Sequence, residues 1–364
     1  MRTFYCDHCG GLVFFENVSC LRCGHALGFL PDALDVSALV PTVGNQWKPL
    51  SAEVNGLYRL CENGQVHSIC NWLVPVGDEN PLCTSCRLTI VVPDLSILGN
   101  RERWHRLELA KRRLIYTLLA LRLPFRPAPE PASQPSPLAP LRFQFIADMT
   151  VPVTTGHAGG LITVSLAEAD DDIREKRRLG LHEPFRTLLG HFRHEIGHYY
   201  WDAMIAGSPR LDRFRELFGD ERNNYAEALQ RHYKCGPPSD WAAHTVSAYA
   251  TAHPWEDWAE TWAHYLHIVD TLETAAGFGL RLQPKHPAKE TMQADPVRVT
   301  GRDGNFDSII SVWFSLTYAL NSLNRGMGLP DLYPFVLSPE ALEKLRFVYD
   351  TIEAVKALKG QTRA

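Results

Sequence analysis

The residues best suited to chemistry in this chain are His194, Glu195 and His198, within the run His191-Phe192-Arg193-His194-Glu195-Ile196-Gly197-His198. On a helix, positions four apart lie one above the other, so both imidazoles can grip one ion. Glu195 sits beside them, placed to take a proton from a water that such an ion activates. The chemistry this spacing suits is hydrolysis assisted by a single metal ion. A catalytic zinc takes three protein ligands and keeps one position for water, so a third ligand must come from elsewhere.

The stretch His253 to His267 is the obvious donor. Pro254 suits the first turn of a helix. One side then carries Trp255, Trp258, Trp262, Leu266 and Val269, and the other carries Glu256, Glu260, His264 and His267. So many tryptophans imply burial, and buried carboxylates and imidazoles need partners, of which a metal is one. Asp202 is a poorer third ligand. It follows His198 by four residues on the same helix, so it sits about 6 Å further along the axis.

A second kind of chemistry is written in the cysteines. Cys6-x2-Cys9-Gly10 and Cys20-x2-Cys23-Gly24 are two matching knuckles, each presenting two thiolates from one tight turn, with a glycine where the chain must bend back. Together they give the four sulfurs of a structural zinc. Cys61, Cys70, Cys83 and Cys86 are expected to form a second four-sulfur zinc site, although only Cys83 and Cys86 make a knuckle and His67 is an alternative ligand. An iron–sulfur cluster is the rival occupant. Cys235 stands alone and reads as a free thiol. With no export signal at the N-terminus, the chain is expected in the cytoplasm, where cysteines are metal ligands sooner than disulfides.

These residues need elements to hold them. Residues 1–96 are rich in turn formers and lack a long helical pattern, so they read as one zinc-ribbon domain. From Asn100 a capped helix carries Trp104, Leu107, Leu114, Ile115, Leu118 and Leu119 as an apolar stripe. Its basic residues Arg101, Arg103, Arg106, Lys111, Arg112 and Arg113 are read as a solvated outer face. The stretch 124–140, with seven prolines, is a linker or surface loop. Strands are expected at 143–146 and 161–166, and Asp170-Asp171-Asp172 opens a helix. Further helices are predicted over 184–203, 211–233, 254–269, 307–325 and 339–358. The apolar stripe Phe185, Leu188, Leu189, Phe192, Ile196 and Tyr199 buries the helix that bears the histidine pair.

Composition narrows the function. Hydrophobic content of 45%, 21% charged residues and a net charge of −4 fit a globular protein with no basic excess. No run is apolar enough to span a bilayer. Residues 1–96 carry five Lys/Arg against nine Asp/Glu, which disfavours nucleic acid and suits a protein partner for the ribbon.

The two knuckles, His194-Glu195-Ile196-Gly197-His198, Phe218-Gly219-Asp220-Glu221-Arg222, His253 through Glu260, and Leu323-Asn324-Arg325 together resemble the bacterial zinc-binding metallopeptidases that carry an N-terminal zinc-ribbon domain. The likeness covers nearly the whole chain except the proline-rich stretch. It implies an α+β protein: a zinc-ribbon domain with two four-cysteine sites at 1–96, then a mainly helical, zincin-type metallopeptidase domain with a small sheet at 97–364. The ligand groups above count three zinc ions, one catalytic and two structural, and the likeness implies a peptide or protein substrate.

The centre further resembles gluzincins, in which a downstream helix supplies a glutamate ligand and an acidic residue four positions later orients a ligand histidine. On that resemblance Glu256 is the third ligand and Glu260 the orienting residue, though a glutamate stands in the later place where aspartate is commoner. Glu195 is the implied general base. The oxyanion donor stays open among Tyr199, Tyr249, Tyr318, His264 and Arg325, and the segment 159–165 reads equally as an edge strand for pairing with an extended substrate or as a plain core strand. Two other functions fit the same residues: a non-catalytic, zinc-stabilised interaction module, and a zinc hydrolase of a non-peptide amide.

Overall fold

The computed structural model describes residues 1–127, 138–147, 155–180, 187–285, 292–300 and 304–361. Most of the proline-rich stretch and Phe185 lie outside them. Two compact units emerge, Arg2–Arg174 and Glu175–Ala364, with Met1 grouped with the second. The architecture is α+β, strands dominating the first unit and helices the second.

The first unit begins with a two-stranded ribbon, β1 (Phe4–Tyr5) and β2 (Leu12–Val13). An antiparallel sheet follows in sequential order: β3 (Ala26–Leu30), β4 (Asp35–Pro41), β5 (Trp47–Pro49), β6 (Tyr58–Leu60) and β7 (Leu73–Pro75). The single-turn helix α1 (Glu62–His67) sits between β6 and β7. Then come β8 (Thr89–Val91), α2 (Asn100–Ala120), β9 (Arg142–Ile146), β10 (Gly156–Ala158), β11 (Leu161–Ser165) and α3 (Asp171–Gly180).

The first unit extends well past residue 96, and its aromatic core shows why. Tyr116 of α2 packs on Phe15 and Phe29, which in turn pack on Trp72, with Phe29 and Trp72 ring centroids 4.5 Å apart. Of the predicted stripe, Trp104, Leu107, Leu114, Ile115 and Leu118 are essentially inaccessible to water and Leu119 is half-buried. That helix buries its apolar face against ribbon and sheet, so it cannot be separated from them.

Two expectations for this unit need correction. Asn100 does not cap α2: Gly99 holds the cap position, and the Asn100 amide instead donates to the Asp94 carbonyl. Nor are the basic residues of α2 all a solvated face: Arg101 and Arg106 are exposed, but the other four are wholly or partly covered. Lys111 and Arg112 are buried; Lys111 pairs with the equally buried Glu108 at 2.9 Å. Arg103 holds Asp170 with two 2.9 Å bonds, Arg106 donates to the Ala169 carbonyl, and Arg113 reaches Glu16. A charge on an amphipathic helix is solvated only where nothing packs over it, and here the sheet and the following turn do.

The four-stranded sheet has the order β10-β11-β9-β8, with β11 parallel to β9 and antiparallel to β10. The strand at 161–165 is therefore interior, paired with β9 along its whole length and with β10 over 161–163. Its backbone groups are already used, so it is no edge for an extended substrate.

The second unit is helical: α4 (Leu188–Met204), α5 (Leu211–Phe218), α6 (Tyr225–Cys235), α7 (Trp241–His244), α8 (Pro254–Gly277), α9 (Phe306–Gly326) and α10 (Pro339–Gln361). The single helix predicted over 211–233 is two, because Gly219 adopts φ 97° and Asn224 starts afresh by capping the Glu227 amide. The core pair is α4 against α8. Phe192, Ile196 and Tyr199 from one helix and Trp258, Trp262 and Leu266 from the other are buried.

Gly197 makes that contact possible. A Cβ there would lie 2.9 Å from the Ala259 Cα, and the Trp258 indole donates across the gap to the Gly197 carbonyl at 2.8 Å. Arg193 adds a polar clamp to His267 and Asp270. Lys344 of α10 anchors the start of α8, bonding Asp257 at 2.6 Å; burial, opposed by that ammonium, pushes the Asp257 carboxyl up to about 6.

Candidate metal centre

Close packing of α4 on α8 brings three donors to one point. His194 Nε2 lies 3.2 Å from His198 Nε2 and 2.9 Å from one Glu256 oxygen, and His198 Nε2 lies 3.5 Å from the other. A tetrahedral ion with ligand bonds of about 2.0–2.1 Å separates its ligands by about 3.3 Å. The three residues match that spacing. The chemistry of the set also fits zinc, since lone pairs of two imidazoles and a carboxylate converge in a buried place, and only a cation makes that favourable.

The surrounding bonds orient the donors. His194 Nδ1 donates to Glu260 Oε1 at 2.7 Å, which turns the Nε2 lone pair toward the shared point. Glu260 is itself held by the Ser247 hydroxyl at 2.6 Å. The Tyr225 hydroxyl donates to Glu256 Oε1 at 2.7 Å. The Trp255 ring packs 4.1 Å from that of His198. Glu195 is buried, and its Oε2 has no hydrogen-bond partner among the described residues. This is the free acceptor a proton-transfer group needs.

Electrostatics follow from burial and these neighbours. Burial pushes the Glu195 carboxyl up, with the adjacent His194 and His198 opposing it. Burial alone would lower His194, but Glu256 and Glu260 hold it well above the ordinary imidazole range. Glu256 shows the converse: burial opposes ionisation, yet His198 and His194 keep its carboxyl well below the usual value. Glu256 is thus held ionised at a point that attracts positive charge, while Glu195 beside it is biased toward holding a proton.

The rest of the predicted polar stripe on α8 is used elsewhere. His264 bonds the Tyr333 hydroxyl at 2.7 Å, and burial pushes it down to about 4. His267 meets Arg193. Asp202 is outside the ligand group. Of the residues considered as oxyanion donors, Tyr199 is in the core, Tyr318 is 71% exposed, and Arg325 is paired with Asp331 at 2.6 Å. Tyr249 remains beside the centre, its ring 5.9 Å from that of His194.

Sequence reasoning missed Tyr225 and Ser247. Neither lies at a helical spacing from the residues it serves, and the only signal was a tyrosine at the start of a helix in a chain needing buried carboxylates held. Tyr225→Phe removes the bond to Glu256 while leaving the ring. It should weaken zinc at this centre about tenfold, the lower end of what such supporting bonds contribute. Competition with a chromophoric chelator measures it, and unchanged affinity removes Tyr225 from the account.

In the first unit the eight N-terminal cysteines gather into two groups. Cys6 lies 3.6 Å from Cys23, and Cys9 3.6 Å from Cys20, sulfur to sulfur. In the second group Cys70 lies 3.7 Å from Cys83, with Cys61 and Cys86 beside them. Zinc–sulfur bonds of about 2.3 Å predict about 3.8 Å, whereas a disulfide would need about 2.05 Å. Within each group all four sulfurs lie within 4.8 Å of one another, room for one ion rather than a cluster of several irons. Gly10 and Gly24 take φ of 67° and 77°, the bend each knuckle requires. His67 packs on Trp104 and belongs to neither group, and Cys235 is exposed and alone.

Two family models match the chain. Residues 100–351 match the family described as "putative zinc-binding metallo-peptidase", and residues 3–97 match a zinc-ribbon domain. The chain belongs to that zinc-binding metallopeptidase family, with an N-terminal zinc ribbon. It is 45% identical over 356 residues to proteins of Mycobacterium bovis and of two strains of Mycobacterium tuberculosis, covering 98% of this chain and 96% of theirs; each bears the name "uncharacterized protein". No solved structure matches it. Among the described residues, no helix is long and apolar enough to cross a membrane.

Proposed function

We propose that this protein is a zinc-dependent metallopeptidase that hydrolyses peptide bonds, with zinc held by His194, His198 and Glu256 and with Glu195 as general base. One observation carries the reading: three donors converge at tetrahedral spacing beside a buried carboxylate oxygen with no hydrogen-bond partner. A purely structural site has no use for that oxygen. When bound, zinc supplies Lewis acidity, lowering the pKa of a water and polarising a carbonyl.

The chain's own residues do the rest. Glu195 accepts a proton from the attacking water at Oε2 and hands it to the leaving amine. Its burial, which raises its proton affinity, suits that return trip. Glu260 and Ser247 fix the His194 ring, and Tyr225 fixes the Glu256 carboxylate. Residues 1–96 form the ribbon domain, whose acidic balance suits a protein partner over nucleic acid. The hydrolytic residues lie within 97–364.

Proteome-derived peptide libraries, incubated with the zinc-loaded protein and with Glu195→Gln, test the activity. New peptide termini should appear only with the wild type, and none with either would overturn the reading. The metal content is a separate test. Elemental analysis of zinc-replete protein should return about three zinc ions per chain, following four ligands in each cysteine group and three at the histidine centre. One zinc, or substantial iron, would contradict it.

A further inference from the structure

Arg112 lies in α2, outside the residues that match the zinc ribbon and inside those that match the metallopeptidase family. It is only 2% exposed, and its Nε and Nη1 have no hydrogen-bond partner. A guanidinium stays charged in a protein, so burying one requires opposing charge. Among the groups acting most strongly on it, the sole carboxylate is Glu108. Glu108 is already paired with Lys111, both with no exposed side-chain surface, so Glu108, Lys111 and Arg112 together carry one net positive charge. Arg112 lies one turn from Glu108 on α2, and Glu108 accepts at 2.7 Å from the hydroxyl of Thr89, three residues past Cys86, so this face of the helix lies against the second cysteine group. The sulfurs of Cys70, Cys86 and Cys83 are the other groups acting most strongly on Arg112.

If those cysteines were neutral thiols, Arg112 would be a buried cation with only the already paired Glu108 acting strongly on it. Four thiolates around a divalent ion carry two net negative charges, which are equally costly to bury alone. Each solves the other's problem. Backbone amides point the same way: Trp72 N–H donates to the Cys70 sulfur at 3.4 Å, Cys83 N–H to Cys61 at 3.3 Å, and Cys86 N–H to Cys83 at 3.4 Å. The first group, Cys6, Cys9, Cys20 and Cys23, has half-exposed members that water can serve.

We propose that Arg112 is the internal countercation of the Cys61, Cys70, Cys83 and Cys86 site, so that a metal site of the ribbon is completed by the first helix of the peptidase segment. The inference rests on these four cysteines binding metal as thiolates. It makes the second site a latch between ribbon and α2, one whose sulfurs are quenched as nucleophiles by a neighbouring positive charge.

The test uses full-length, zinc-loaded protein, a zinc chelator titrated in, and alkylation of each cysteine read by mass spectrometry. Arg112→Met should release zinc from the second site at about tenfold lower chelator concentration, the scale on which neighbours of metal ligands act. Its four cysteines should alkylate correspondingly sooner, while Cys6, Cys9, Cys20 and Cys23 behave as in the wild type. Arg112→Lys, which keeps the charge, should stay within a few-fold of wild type, and it decides the matter should Arg112→Met not fold. After zinc removal the order should invert, with Arg112→Met melting higher than the wild type because the lone buried cation is gone.

Wild-type protein lacking zinc at the second site would defeat the metal reading itself. Wild type holding zinc, with Arg112→Met equally retentive or Arg112→Lys as defective as Met, would defeat the role of Arg112 alone.

Discussion

Glu195→Gln is expected to keep zinc at the His194, His198 and Glu256 centre and to lose hydrolysis, by about 10²–10⁴-fold in turnover. Glu195 is not one of the three converging donors, so the substitution removes no ligand. The amide has nearly the shape of the carboxylate and fits the same buried space, but it cannot take a proton. The loss should fall on kcat with KM little changed, because the group acts on the reacting water and not on the bound peptide. Zinc content and peptide turnover measured on the same preparation separate the alternatives. Zinc retained with activity intact would rule out Glu195 as the base, and zinc lost would mean that it helps to hold the ion.

The parts of this site that could be read from sequence are those governed by helical spacing. His194 and His198 are one turn apart, Glu256 and Glu260 likewise, and in each case the structure brings the pair to one place. The knuckles were legible for a similar reason, since two residues between cysteines fix a tight turn locally. Cys61 and Cys70 were harder. They reach Cys83 and Cys86 only through α1 and β7, a path that no spacing rule encodes.

Legibility fails where a partner is distant in sequence. Tyr225 meets Glu256 across 31 positions and Ser247 meets Glu260 across 13, each from a separate element. The basic face of α2 misled for a related reason. Composition shows six cations on a helix but not the buried Glu108 or the cysteine sulfurs that let two of them leave water. The segment at 159–165 could be read as either an edge or a core strand, because its own sequence does not say which strands flank it. Pairing on both sides is a property of the sheet, not of the strand.

Glu256 and Glu260 sit one turn apart on α8 yet should respond to the same substitution very differently. Glu256→Ala is expected to abolish tight zinc binding at the histidine centre. It removes one of three donors, leaves the Tyr225 hydroxyl without its acceptor, and leaves the two imidazole Nε2 atoms facing each other at 3.2 Å without the carboxylate they shared. Glu260→Ala removes no donor. It frees the His194 ring, whose Nδ1 loses its 2.7 Å bond, and strands the Ser247 hydroxyl. Loss of such an orienting carboxylate costs about 10–100-fold in metal affinity or activity. Glu260→Ala should therefore still fill with zinc at millimolar excess, while Glu256→Ala should not, and Glu260→Gln should fall between wild type and alanine because an amide oxygen can still accept from Nδ1. Equilibrium dialysis across a zinc series, with the cysteine sites as internal reference, gives the ranking. A crystal structure with Glu260 or Asp202 within about 2.2 Å of the ion, and Glu256 turned away, would reverse the assignment.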